Sequence, residues 1–234
     1  MTFYSPEFDR HIHINRKNKI RRLSLKVCRV TGKISINASL YLPNLDIINF
    51  FNKNRGWISK QLSKCVVSKI VDKGLVLPVE GNCYEIVSNN HVSTIRFLES
   101  NKICLPKNII NVGHAVQKFL IVYCKSIMTP FIIEKSNLFK KKIQKISFKD
   151  TKSRWGSCSS KGSIMLNWRL IMAPPSVYKY VIIHELSHLV HMNHGYLFWK
   201  LVGELHPSYV NDREWLNNNG HEIRNYVFKD NMFI

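Results

Sequence analysis

At 234 residues the chain is long enough to bury a sizeable core, as one domain or as two closely packed lobes. Hydrophobic residues make up 45% of it, which excludes a disordered or fibrous protein, and no apolar run approaches the ~20 residues of a membrane span. A formal charge of +20 fits a polyanion partner, nucleic acid above all, or lysines spread over solvated faces; the charges are dispersed, which favours the second reading.

The clusters at Arg16-Lys17-Asn18-Lys19-Ile20-Arg21-Arg22 and Lys140-Lys141-Lys142 are not interleaved with aromatics, as a stacking platform for single strands would be. The first residues show no apolar stretch after a basic one, so no secretory signal is expected. Cys28, Cys65, Cys83, Cys104, Cys124 and Cys158 are scattered without a CxxC pair. That pattern predicts reduced thiols and a cytoplasmic location.

In chain order, residues 8–15 and 20–38 read as strands. Leu23, Leu25 and Val27 alternate with polar neighbours, as do Ile34 and Ile36, with a turn signal at Thr31-Gly32. Pro43-Asn44 opens a helix carrying Leu45, Ile48, Phe51, Trp57, Ile58 and Leu62, with Trp57 expected in the core. Residues 67–105 return to short strands punctuated at Asp72-Lys73-Gly74, Glu80-Gly81-Asn82 and Asn89-Asn90. Residues 1–108 are thus a β-rich amino-terminal part with one helix and no catalytic constellation. His11, His13 and His91 are isolated and read as surface residues.

The second part, 109–234, begins with an apolar stripe over 109–128. Pro130 predicts a break, with helix resuming to about Leu138. Ile143, Ile146 and Phe148 start a small sheet; residues 153–158 and 163–170 flank the turn Ser159-Ser160-Lys161-Gly162 as a hairpin. Pro174-Pro175-Ser176 opens the next helix, by proline in the first turn or serine as cap. Its side away from the site buries Ile182, Ile183, Leu186, Leu189 and Val190. Helices over Tyr196 to Leu205 and over 209–219 follow, the last ended by Asn219-Gly220.

The helix after Pro175 carries His184-Glu185-Leu186-Ser187-His188. Positions four apart share one helical face, so His184 and His188 can aim two imidazoles at one ion. Glu185, rotated by about 100°, reaches a water on that ion without binding the ion itself. A third ligand comes from His191 or His194. On an unbroken helix His191 is about 10 Å up the axis from His184, and three imidazoles on one line do not make three corners of a tetrahedron. A chain that turns back does, and Asn193 and Gly195 flanking His194 tolerate a left-handed helix end. The predicted metal set is therefore His184, His188 and His194 around Zn2+, with Glu185 as the catalytic base.

Three neutral imidazoles leave a fourth position on zinc for water, which suits hydrolysis of a peptide bond in a protein or peptide substrate. Tyr196, Asn193, His191 and Arg154 are open candidates for a second oxyanion donor. Cys158 reads as a buried small residue, with nucleophile or inhibitory ligand as the other readings.

Trp155-Gly156-Ser157-Cys158-Ser159, Leu166-Asn167-Trp168-Arg169-Leu170, Ala173-Pro174-Pro175, HELSH, Asn193-His194 and Phe198-Trp199 stand in the order seen in YgjP-like (SprT-like) zinc metallopeptidases, and the chain resembles that family densely over about 143–220. The resemblance implies an α+β fold: a zincin-like domain of small sheet, HExxH helix and following helices behind the β-rich part. It implies the same ligands and base, and a hairpin edge that takes an extended peptide. SprT-like relatives also suggest a DNA-associated protease using the basic surface, and a catalytically silent zinc-binding module is the remaining alternative. His191 stands where metzincins carry a glycine, which argues against that subgroup.

Overall fold

Alternating apolar residues at the start of the chain build a sheet with one buried face. In this computed structural model, which describes residues 2–18, 20, 22–28, 32–62, 68–139 and 141–228, the chain forms two compact units, Met1–Ser68 and Lys69–Ile234.

In the first unit, β1 (Thr2–Ser5), β2 (Arg10–Arg16), β3 (Ser24–Val27) and β4 (Ile34–Ala38) are ordered β1-β2-β4-β3, with β2 and β4 parallel. Ile12, Ile14, Ile34, Ile36 and Ala38 share one face. Ile47 and Phe51 of α1 (Asn44–Lys53) and Ile58 of α2 (Arg55–Leu62) cover it. The single helix expected here is two, because Asn54 ends α1: its side-chain amide donates to the Phe50 carbonyl at 2.7 Å. Trp57 is not in the core; it is 45% exposed, and Ile58 takes the buried position beside it. Thr31 of the expected turn lies outside the described residues, while Gly32 has the positive φ of 65° that the turn demands.

In the second unit, β5 (Lys69–Ile70) precedes β6 (Val76–Val79), β7 (Asn82–Asn89), β8 (Arg96–Leu98) and β9 (Lys102–Pro106); the last four form a sheet ordered β6-β7-β9-β8. Leu77, Val79, Ile86, Ile103 and Leu105 from this sheet share one core with α3 (Val112–Ser136) and with the helices that follow. That shared core is why the division falls after Ser68 and not near residue 108.

Helix α3 runs unbroken through Pro130. Val116, Leu120, Cys124, Met128 and Ile132 form one fully buried stripe on both sides of the proline. Their burial outweighs the roughly 3 kcal/mol that an interior proline costs. By length and composition α3 is also long and apolar enough to cross a bilayer, a feature the sequence reading missed; here that stripe is core.

The second sheet is β10 (Lys145–Lys149), β12 (Ser163–Asn167) and β11 (Gly156–Cys158), in that spatial order, with β11 at an edge. Where strand was expected to run on to residue 170, Trp168–Met172 instead make a buried 3₁₀ turn, capped by the Asn167 side chain accepting from the Arg169 N–H. Helices α4 (Pro175–Ser187), α5 (Tyr196–Leu205) and α6 (Tyr209–Arg224) follow, and β13 (Tyr226–Val227) pairs in parallel with β5. Pro175 is the first residue of α4. Val190, expected in the core, is 54% exposed because α4 has already ended. Helix α6 continues past Gly220, whose missing side chain makes room for Trp155: a Cβ there would meet the indole at 2.8 Å.

Arg169 ties these elements together. Its guanidinium grips Asp150 through two nitrogens at 2.9 and 3.0 Å, and donates to the carbonyls of Ile223 and Tyr226 at 3.2 and 2.8 Å. It also lies over the rings of Trp168 and Phe228.

Candidate metal centre

The tail of α4 sets the geometry. Val177, Val181, Ile182, Ile183 and Leu186 anchor the helix in the core, so the face carrying His184 and His188 opens towards β11 and α5. His188 caps the helix while keeping helical dihedrals, φ −67° and ψ −14°, which preserves the one-turn spacing from His184. The chain then turns and returns His194 without any left-handed residue; Gly195 is extended, φ −75° and ψ −177°. One nitrogen from each of His184, His188 and His194 can be chosen so that all three lie within 4.8 Å of one another. The Nε2 atoms of His184 and His194 are 3.0 Å apart.

Three features suit a divalent ion. The His191 carbonyl lies 3.0 Å from Nδ1 of His188; a hydrogen bond there puts the proton on Nδ1 and leaves Nε2 free as a ligand. Burial, and then the neighbouring His188 and His194, push His184 down to about 3, so it stays the neutral imidazole that a metal requires. Burial also lowers His194. The contribution of His191 is thus its main chain, not its ring.

Phe198 is the floor of the cluster, its ring centroid 4.9, 4.6 and 4.7 Å from those of His184, His188 and His194. Trp199 stacks on His194 at 5.7 Å, Tyr209 stacks on Trp199 at 5.6 Å, and Arg213 lies over Trp199. The rings behind His194 hold it although its own side chain is largely in solvent. These supports were not predicted; the adjacent Phe-Trp pair was their only sequence trace.

A cleft of about 300 Å³ opens above the histidines, lined by Gly156, Ser157, Cys158, His184, Glu185, His188, Met192 and His194. None of Tyr196, Asn193, His191 and Arg154 lines it. Glu185 is 6% exposed, and burial pushes its carboxyl up to about 8 against the opposing pull of Arg154. It fits beneath β11 because residue 156 is glycine: a Cβ there would lie 2.4 Å from Glu185 Oε1. Burial first, then the Glu185 charge, raises the Cys158 thiol to about 11, so it stays protonated at neutral pH and is no ready nucleophile.

Comparison with known proteins matches a family model described as YgjP-like, metallopeptidase domain, to residues 21–219. No curated protein matches the chain. Among solved structures, it is similar to the metallopeptidase zymogen of Pyrococcus abyssi abylysin at 20% identity, over 46% of this chain and 94% of that one, with a TM-score of 0.33. The family match spans both compact units and includes every residue of the histidine cleft, and the chain belongs to the YgjP-like metallopeptidase family.

Proposed function

We propose that the chain is a zinc-dependent peptidase in which His184, His188 and His194 hold the ion and Glu185 is the general base. The observation that carries this is the convergence of three imidazoles beside a buried, unligated carboxylate. Among the described residues no thiolate or carboxylate joins the cluster, and a three-imidazole set with an open side suits catalytic zinc.

When bound, zinc supplies Lewis acidity, polarising the scissile carbonyl and acidifying a water. Glu185 accepts a proton at a carboxylate oxygen as that water adds to the carbonyl carbon. It then delivers the proton to the amide nitrogen as the C–N bond breaks, giving a carboxylic acid and an amine. Burial raises its proton affinity in the metal-free site; the positive charge of a bound ion would lower it again and keep the carboxylate ionised as an acceptor near neutral pH. The exposed edge of β11 pairs with the substrate backbone, supplying main-chain hydrogen bonds beside the cleft.

His184→Ala tests the metal set. Zinc measured on the purified protein is expected to fall from about one equivalent to near zero, because one of three ligands is lost. Unchanged metal content would refute the assignment. Gly156→Ala tests the placement of the base. The added methyl displaces Glu185, so cleavage is expected to fall about 100-fold while metal content persists. Full activity in that variant would show that the close fit of strand and base does not matter.

A further inference from the structure

The face of the second sheet turned away from the core carries a charge pattern that hydrolysis itself does not need. Along β10, Ile146 and Phe148 pack on the core, while Lys145, Ser147 and Lys149 point the other way. The register continues that outer face across the sheet: Lys145 pairs with Ser163, and Ser147 with Met165, which pairs in turn with Ser157. A groove of about 470 Å³ lies there, lined by these residues together with Arg154. Ser157 and Cys158 line both this groove and the histidine cleft, so the two meet across β11.

Among the described residues, Lys145, Lys149 and Arg154 give the groove three cations, and no Asp or Glu lines it. None of the three forms an ion pair among the described residues. The nearest acid in sequence, Asp150, is bound by Arg169. Arg154 acts only at a distance on Glu185. No aromatic side chain among the described residues lines the groove, so these offer no surface on which a base would stack. A peptide strand laid along β11 sends alternate side chains to opposite faces of the sheet. Those on the outer face arrive beside the three cations.

We propose that this groove is a specificity subsite for acidic side chains, Asp and Glu, at alternate positions of the peptide substrate. The proposal rests on the peptidase reading, and its test separates the two. The zinc-loaded full chain is given paired fluorogenic peptides that differ only by Asp or Lys at the outward positions. A kcat/KM ratio of at least about tenfold in favour of Asp is expected from two or three partly exposed ion pairs. Lys145→Glu/Lys149→Glu should reverse the ratio, a gain on the Lys peptide that a misfolded protein cannot produce.

Equal rates on both peptides, or a ratio that the double substitution leaves unmoved, would overturn the subsite. If no peptide is cleaved, the peptidase reading fails, and fluorescence anisotropy of the same peptides on the zinc-loaded Glu185→Gln protein still decides the subsite. Tighter, salt-sensitive binding of the Asp peptide supports it, and equal binding overturns it. A DNA oligonucleotide is the remaining arm. Binding that the double substitution abolishes while the peptide preference stays intact would assign these lysines to nucleic acid and overturn the proposal.

Discussion

Glu185→Gln is expected to keep its metal and lose cleavage by about three orders of magnitude, within the range that a positioned general base contributes. The amide has the shape of the carboxylate and fills the same buried space beneath Gly156, so the histidines keep their places. It cannot accept a proton from water, and the leaving amine then has no donor. Burying a neutral amide is also easier than burying a charge, so the variant should be no less stable than its parent. Zinc content, thermal midpoint and kcat/KM on one fluorogenic peptide give the three readings together. Activity within tenfold of the parent would remove Glu185 from the chemistry.

Arg169→Met should have the largest effect on stability. Methionine roughly fills the space of the side-chain stem, but the Ile223 and Tyr226 carbonyls and the Asp150 carboxylate all lose their donor. Breaking a fully buried ion pair costs about 3–5 kcal/mol; Asp150 is 40% exposed and regains water, which puts the expected loss near ~3 kcal/mol. For a unit of this size that lowers the thermal midpoint by roughly 6–12 °C. Asp150→Asn should cost less, because the guanidinium keeps both carbonyls. Equal losses in the two variants would mean that the ion pair, and not the grip on the end of α6, holds this corner.

The convergence of the three histidines was legible because its geometry is local. His184 and His188 share a face by helical period alone, and His194 follows within one short turn. Supports assembled from distant segments were not legible. Gly156 is 29 residues from Glu185 in the chain, and nothing in its own neighbourhood announces that a carboxylate will fit beneath it. Tyr209 and Arg213 reach Trp199 from another helix.

The misread elements share a cause. Pro130, Gly220 and Trp57 were judged by local propensity, and each was decided by packing: a buried stripe through the proline, an indole against the glycine, and Ile58 taking the core in place of the tryptophan. The division after Ser68 was hidden because no change of composition marks it; a shared core does.

The pairing of β13 with β5 has a consequence for biosynthesis. Lys69 donates to the Asn225 carbonyl and Val71 to the Val227 carbonyl, each at 2.9 Å, and the absent side chain of Gly113 lets Phe228 pass close beneath the start of α3. The two ends of the second unit are therefore tied to each other, so Lys69–Ile70 cannot take its place in a sheet until Tyr226–Val227 has been made.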